Sequence, residues 1–308
     1  MTKSEIKNDI KQTVAFTARN IKLFFKDKGM FISALIAPLV IMLLYVLFLH
    51  SVLTSTFEMN LPESFAVADE IISGYVAAYE ISSILAVCCV TVAFVANMAM
   101  VDDRVSGVKA DLIVSPVKGR VLVLGYYFAT AIVTLVICYV AMLVGFVYMA
   151  AMGWQMTALD VFAAMLDVFL ASLFGTALSS VVCFFLKSRG AINAVSTIVS
   201  TVYGFISGAY YPISQFSTGI SNTVMCLPGT YCTGLFRTHF MGGFGSAFEG
   251  AGIPAEASRA LLESLDAKMF FYGGEVKVWA MYTVVCCTIV GLIALFVALN
   301  ALLGSKKK

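Results

Sequence analysis

The chain has 308 residues, of which 60% are hydrophobic and only 12% are charged, and its mean hydropathy is +0.94. Soluble domains carry charge on about a quarter of their residues, so this composition excludes a soluble globular protein and indicates an integral membrane protein. The formal net charge of +2 says little by itself. The distribution of the charges along the chain is more informative.

The first segment, residues 4–28, is predicted to be a basic amphipathic helix. Apolar side chains recur at steps of three and four from Ile10 to Phe25, and lysines and Arg19 occupy much of the remaining surface. Such a helix lies along a membrane surface, and a solvated leader helix is the alternative. The apolar run that follows is too long for the hydrophobic region of a cleavable signal peptide and is expected to remain as an anchor.

Six segments are predicted to cross the bilayer as helices. About 20 apolar residues span ~30 Å of hydrocarbon, and lipid cannot satisfy exposed backbone groups. The fold class is therefore predicted to be an all-α integral membrane protein with six transmembrane helices. Pro38 is expected to kink the first of them. The predicted spans are residues 29–53, 79–101, 121–151, 158–186, 190–210 and 277–303.

The segment after the fifth span is rich in Gly and Pro and is too short for a second full span with a loop. Residues 211–240 are therefore predicted to form a broken or re-entrant segment at one membrane face, with a seventh span as the alternative. Residues 241–252, MGGFGSAFEGAG, are predicted to be flexible. A short helix is predicted over residues 254–269.

The basic residues set the predicted orientation. With the N-terminus inside and six spans, inner segments hold most of the 20 Lys and Arg residues, in accord with the positive-inside rule. Seven spans would place Lys306–Lys308 outside, which the rule disfavours. We therefore expect a multi-pass protein of the cytoplasmic membrane with both termini in the cytoplasm. The basic residues left outside are Arg237, Arg259, Lys268 and Lys277.

The compact charged segment VDDRVSGVKADLIVSPVKGR, residues 101–120, lies between two predicted spans. Apolar side chains at steps of four, three and four predict one stripe on a short helix over 102–115, ended by Pro116. A short helix with both charge signs suits insertion into a groove on a cytosolic partner, and an interfacial helix is the alternative. The stripe comprises Val101, Val105, Val108 and Leu112. The residues assigned to docking are Asp103, Arg104, Val105, Gly107, Val108, Lys109, Asp111 and Leu112.

Asp167 is interpreted as the one ionisable residue deep in a predicted span. Intramembrane carboxylates are costly, so a role in substrate or proton handling and a neutral, hydrogen-bonded acid at a helix interface stay open. Further polar and aromatic residues are candidates for a translocation path, with interhelical hydrogen bonds and an interfacial aromatic belt as alternatives. The candidates for this path are Asn97, Asp167, Ser179, Asn193, Tyr203 and Phe205.

Most of the eight cysteines lie in predicted spans, where small apolar side chains pack well. Cys226 and Cys232 fall in the outer segment, and they are expected either to form a disulfide, if that compartment is oxidising, or to stay free thiols. No Cys/His spacing fits zinc, so no metal site is predicted. Gly145 and Gly175 are expected to allow close helix approach.

The order of these elements resembles the membrane subunit of ABC exporters, the type-2 permease family. KDKGMFISALIAPLV at 26–40 resembles the family's start of the first span, and ADLIVSPVKGRVLVLGYY at 110–127 resembles its coupling-helix exit into the third span. SGAYYPISQF at 207–216 and LPGTYCTGLFR at 227–237 are similar to its outer re-entrant signature. The residues carried over to that signature are Pro212, Pro228, Tyr231 and Arg237, and Arg237 is expected to cap or pair within the outer segment.

The resemblance implies that two permease chains, identical or different, pair above two cytosolic ABC ATPase subunits. Closure of the ATPases on ATP would push the coupling helices and switch the cavity from inward to outward. The chain has no G-x-x-x-x-G-K-[ST] phosphate loop, so ATP and Mg²⁺ are expected on the separate ATPase chain. This chain is then no enzyme and needs no cofactor.

The implied substrate is amphipathic: a drug, lipid, peptide or antimicrobial, as in multidrug resistance. Membrane lipids surround the chain, and no nucleic-acid partner is expected. Two alternatives stay open. One is an ATP-independent secondary carrier or channel, which would use intramembrane charges or repeat symmetry. The other is a membrane scaffold or sensor subunit that transports nothing.

Overall fold

A computed structural model of the chain describes residues 3–60, 67–114 and 117–304, and almost every described element is helical. The elements from the N-terminus to the third span are α1 (Lys3–Lys26), α2 (Lys28–Leu44), a π-helical turn (Tyr45–Leu49), α3 (His50–Asn60), α4 (Asp69–Ala96), α5 (Met98–Val105), α6 (Val108–Val114) and α7 (Gly119–Met152). They are followed by α8 (Ala158–Phe185), α9 (Arg189–Ile206), a 3-10 turn (Ile213–Gln215), α10 (Thr218–Val224), α11 (Pro228–Met241), α12 (Phe244–Gly250) and α13 (Ala255–Ser264). A hairpin of β1 (Phe270–Phe271) and β2 (Gly274–Glu275) precedes α14 (Val278–Gly304).

Within the described residues, five helical stretches are long and apolar enough to cross a membrane. The fifth predicted span, 190–210, corresponds to α9, whose apolar part Gly190–Ile206 is shorter than the others. A multi-pass helical membrane protein is thereby supported, and the count of six stays a prediction. The five long stretches are Lys28–Ser55, Asp69–Val105, Gly119–Met152, Ala158–Phe185 and Val278–Leu302.

Helix α4 lies at the centre of the bundle. The most apolar window of its span is 83% buried, whereas that of Lys28–Ser55 is 18% buried. Helices α2, α7, α8, α9 and α11 all pack against it. The C-terminal end of α4 leads into α5 beside α1, and we call this end of the bundle the α1 end. Its N-terminal end packs against α12 and α13, and we call this the α13 end.

Local sequence signals fix several helix boundaries. A capping box of Thr157 and Asp160 begins α8: each side chain bonds the backbone N–H of the other. Asp27 accepts from the Met30 N–H at 3.0 Å and starts α2. Pro228 begins α11 at the first helical position, where the missing N–H is not needed.

The coupling segment differs from the single helix predicted over 102–115. We call residues 98–114 the coupling segment. It consists of α5 and α6, which are separated at Ser106 and Gly107. Gly107 has φ +84°, a left-handed conformation that ends helices and that glycine adopts without strain. The predicted continuous apolar stripe is therefore broken, and Pro116 lies outside the described residues.

Three further predictions need correction. Helix α4 begins at Asp69, well before the predicted residue 79. The stretch predicted to be flexible forms α12, because Phe244 and Phe248 bury their rings against Tyr75. The helix predicted over residues 254–269 ends at Ser264.

Helix α2 continues through Pro38 and ends in the π-helical turn.

Glycines permit the closest contacts of the bundle. A Cβ on Gly175 of α8 would lie 2.3 Å from the backbone oxygen of Cys89 in α4. A Cβ on Gly145 of α7 would lie 2.6 Å from the Ile81 side chain. The Cys89 oxygen belongs to the backbone and cannot move aside, whereas the Ile81 side chain can adopt another rotamer.

We therefore expect Gly175→Ala to separate α4 from α8 and to destabilise the chain by about 1–3 kcal/mol, the usual cost of overpacking. The matched control Gly145→Ala should cost less. Thermal unfolding of the purified variants in one detergent measures both effects. A Gly175→Ala chain that unfolds at the wild-type temperature would contradict this account of the packing.

Candidate coupling and transport sites

The coupling segment is bound to α1 and α7 through Asp103. Arg19 of α1 donates two hydrogen bonds to this carboxylate, at 2.8 and 3.3 Å. The Tyr126 hydroxyl of α7 donates to the same carboxylate at 2.7 Å. Charged hydrogen bonds of this kind are stronger than neutral ones. Asp103 therefore joins three helices at one point.

The neighbouring residue, Arg104, binds the coupling segment to the end of α8. Its guanidinium donates to the backbone oxygens of Phe184, at 3.0 Å, and Leu186, at 2.6 Å. The last carbonyls of a helix have no partner inside the helix and carry the negative end of its dipole. Arg104 satisfies these carbonyls, so α5 and α8 are held together.

A third contact fixes α1 against the start of α7. Asp9 pairs with Lys118 at 3.1 Å and with Arg120. Partial desolvation alone would raise the pKa of Asp9, but the hydrogen bonds and charges of Lys118 and Arg120 lower it below its usual value. Phe16 packs edge-on against Tyr126 with ring centroids 5.0 Å apart.

The residues predicted to dock a partner divide into two groups. Asp103 and Arg104 point into the bundle and are engaged by their own chain. Val105, Gly107 and Asp111 are exposed. Val108 and Leu112 are half-buried, and the side chain of Lys109 lies outside the described residues. Val114, which was not among the predicted residues, is 88% exposed and extends the apolar part of this surface.

Asn97 and Ser179, two candidates for the translocation path, contact each other inside the bundle. The Asn97 amide donates to the hydroxyls of Ser179, at 2.6 Å, and Ser180, at 3.2 Å, and accepts from Thr130 at 3.1 Å. These contacts join α4, α8 and α7 as interhelical hydrogen bonds.

The other candidates for the path do not gather around a common space. Asn193 is exposed on α9. Tyr203 is buried, and its hydroxyl donates to the Gly229 backbone oxygen at 3.4 Å. Phe205 is exposed and packs edge-on against Tyr210 with centroids 5.3 Å apart. The structure therefore groups Asn97 with Ser179 and separates the rest.

Asp167 is buried between α8, α11 and α14. His239 Nδ1 lies 2.6 Å from one carboxylate oxygen, and the Tyr282 hydroxyl donates to the other at 2.8 Å. Both oxygens of this buried acid are thus partnered, which offsets the cost of placing it among apolar helices.

A second buried carboxylate, Glu80, was missed by the sequence interpretation. It lies in α4 and is 1% exposed, so the statement that Asp167 alone is deep in a span is wrong. The Tyr148 hydroxyl donates to its Oε2 at 3.0 Å, and His50 Nδ1 lies 3.4 Å away. The uncharged run was counted from Ile81. The predicted span 79–101 placed Glu80 at its very edge, whereas α4 begins at Asp69 and carries Glu80 well inside the helix.

The re-entrant signature surrounds a buried ion pair. Arg237 of α11 is fully buried and donates to Asp266 at 2.6 Å and to the Gly208 backbone oxygen. Its guanidinium carbon lies 4.5 Å from the centre of the Tyr79 ring, within the range of a cation–π contact. Asp266 also accepts the Ser214 N–H at 2.8 Å. Arg237 thus joins α4, α11 and the loop before α14.

The remaining residues of this signature support the same region. Pro212 is buried directly before the 3-10 turn, Pro228 begins α11, and Tyr231 is buried in α11. Cys226 and Cys232 are both free thiols in the structure, the first exposed and the second buried. Within the described residues, no three His, Cys, Asp or Glu side chains lie together as metal ligands would.

The Arg237–Asp266 pair gives a direct test of this region. Asp266→Asn leaves a buried guanidinium without its counter-ion, and we expect a loss of about 3–5 kcal/mol in stability. Arg237→Met should cost a similar amount. The double variant should cost less than the sum of the two, because the two side chains act as one unit. Thermal unfolding in detergent, run as a double-mutant cycle, measures the coupling.

The matched control is Arg259→Ala, which removes exposed pairs with Glu263 and Glu275 and should cost at most about 1 kcal/mol. Strict additivity of Asp266→Asn and Arg237→Met would show that the pair is not the unit described here.

Comparison with known proteins assigns this architecture to a family. A family model described as ABC-2 family transporter protein matches residues 54–302, from α3 to the C-terminal helix. A search of curated proteins gives no match. The matched range includes the coupling segment, the buried acids Glu80, Asp167 and Asp266, and the re-entrant signature, and it confirms the resemblance drawn from the sequence. Since the match covers well over half of the 308 residues, the chain belongs to the ABC-2 transporter family, as a permease subunit of that type.

Proposed function

We propose that this chain is the permease subunit of an ATP-driven exporter that moves an amphipathic substrate, such as a drug, lipid, peptide or antimicrobial, across the cytoplasmic membrane. ABC-2 permeases usually work with an ATPase partner. The chain contains no phosphate-binding loop of its own. ATP and Mg²⁺ would therefore be held by a separate cytosolic ATPase subunit.

The observation that carries the proposal is that the coupling segment is bound to the bundle on one side and exposed on the other. On the side that faces the bundle, Asp103 and Arg104 bind α1, α7 and α8. On the side that faces away from the bundle, Val105, Asp111 and Val114 are exposed. A segment that is bound to the bundle on one side and free on the other is suited to receive a push and to pass it to several spans. Its free side would enter a groove on the ATPase.

The charge distribution supports the orientation of the proposal. The α1 end contains the lysines and arginines of α1 and the coupling segment, and the positive-inside rule places such an end in the cytoplasm. Helix α9 would be the fifth of the six spans, and residues 211–240 would return near the outer face. In this arrangement the whole chain is a single membrane domain with α1 on the inner surface.

The exposed apolar surface of the first span supports the proposal of a partner chain within the membrane. Most apolar side chains of α2 and the π-helical turn are exposed, among them Leu39, Leu43 and Leu47. Lipid covers such a surface, or a second permease chain does so. We propose a dimer of permease chains, identical or different, with lipid covering the remainder.

Purification of the tagged full-length chain from its native membrane tests the ATPase partner. We expect mass spectrometry to find an ABC ATPase bound to the wild-type chain. We expect Val108→Asp and Leu112→Asp to reduce the bound ATPase per chain by at least about tenfold, which corresponds to about 1.4 kcal/mol. A carboxylate at either position would be buried in the proposed interface without a partner.

Two further variants make this result decisive. Val108 and Leu112 are half-buried, so Val114→Asp, at an exposed position, tests the same surface without disturbing the core. Tyr272→Asp introduces the same charge at an exposed position of the α13 end and should leave the ATPase bound. Wild-type amounts of ATPase on all three coupling-segment variants would refute the docking assignment.

A further inference from the structure

We infer that Glu80, with His50 and Tyr148, forms a binding site for the primary ammonium head group of an amphiphile that enters from the membrane. This inference names a substrate class for the proposed exporter, and in that respect it rests on the proposed function. The site is built from α4, α3 and α7, none of which contributes a residue of the coupling segment.

The first reason is an incomplete set of hydrogen bonds. A carboxylate offers about four acceptor positions on two oxygens. The described contacts of Glu80 all reach Oε2, where Tyr148 donates at 3.0 Å and His50 lies at 3.4 Å. Oε1 is buried and has no hydrogen-bond partner among the residues that the structure describes. A buried charge without its full set of partners is costly.

The second reason is the contrast with the other buried acids. Asp167 and Asp266 each have a donor on both oxygens, and so does Asp103. Among the side chains that the structure describes, Glu80 contributes the one buried carboxylate oxygen without a donor. The chain therefore satisfies its buried acids as a rule and leaves this one open to an external donor.

The third reason is the position of His50. A π-helical turn, Tyr45–Leu49, comes directly before it, and such turns are frequent at functional sites. The His50 side chain belongs to the first span, is 20% exposed and lies 3.4 Å from the Glu80 carboxylate. Displacement of the imidazole would open a path to Glu80 from the exposed apolar side chains of that span, such as Leu43 and Leu47.

These features select a cation with an apolar tail. An ammonium group donates three hydrogen bonds, one of them to Oε1 of Glu80 and another to the Tyr148 oxygen. Charge-assisted hydrogen bonds are strong, and the low dielectric of the helix bundle strengthens them further. The tail would lie along the apolar side chains of the first span. A neutral alcohol lacks the charge, and a fatty acid would be repelled by Glu80.

Titration of the purified full-length chain in lipid nanodiscs tests the site, with octylammonium chloride as the probe and with 1-octanol and sodium octanoate as comparisons. Calorimetry should detect saturable binding of octylammonium and no saturable binding of the other two. Glu80→Gln should weaken octylammonium binding by at least about tenfold, since the ligand charge loses its partner. The control Glu249→Gln removes an exposed carboxylate and should leave the affinity unchanged.

The wild-type chain alone provides a second measurement, which does not depend on how well Glu80→Gln folds. Octylammonium should raise the thermal unfolding temperature of the wild-type chain, as any ligand of the folded state does, and octanol should not. Equal affinities in wild type and Glu80→Gln, or no saturable binding to wild type, would overturn the inference. The ATPase is absent from this assay, so either result leaves the exporter assignment standing, and failure to capture an ATPase leaves this site standing.

Discussion

The architecture depends on the pair of adjacent charges, Asp103 and Arg104, that fasten the coupling segment to the membrane bundle. Asp103 collects donors from Arg19 of α1 and Tyr126 of α7, and Arg104 satisfies the last carbonyls of α8. Charged groups are costly in lipid unless they are paired, and here the pairs connect separate helices. The contacts that offset the cost of burying these charges therefore also hold the coupling segment firmly against α1, α7 and α8.

Deeper in the bundle, polar residues follow the same rule. Asn97 joins α4 to α7 and α8, Asp167 joins α8 to α11 and α14, and Arg237 joins α11 to the loop before α14. Each of these three side chains has partners on other elements, which offset the cost of burying it and connect the helices. Among the buried carboxylates of the described residues Glu80 is the exception, and a buried carboxylate oxygen left open indicates a place where a ligand acts.

The sequence was sufficient for the membrane class, the family and most of the long helices, because long apolar runs are local signals. The predicted spans 158–186 and 277–303 nearly coincide with α8 and α14. The break at Gly107 was not predicted, since a stripe of valines continues across it. The partners of Asp167 and Arg237 could not be predicted either, because His239 and Asp266 are distant in sequence and only the packing brings them close.

The claim that the coupling segment moves as one body with the bundle is tested most directly by a distance within one chain. Spin labels at Ser106→Cys in the coupling segment, which is exposed and not among the docking residues, and at Leu159→Cys at the far end of α8 would report it in the ATPase-bound complex, after replacement of the exposed cysteines Cys226, Cys286 and Cys287 by serine. The account predicts one distance before and after closure with ATP and vanadate, and a shifted or broadened distance when Arg104→Gln removes the contact with α8. A distance that changes on closure while Arg104 is intact would contradict it.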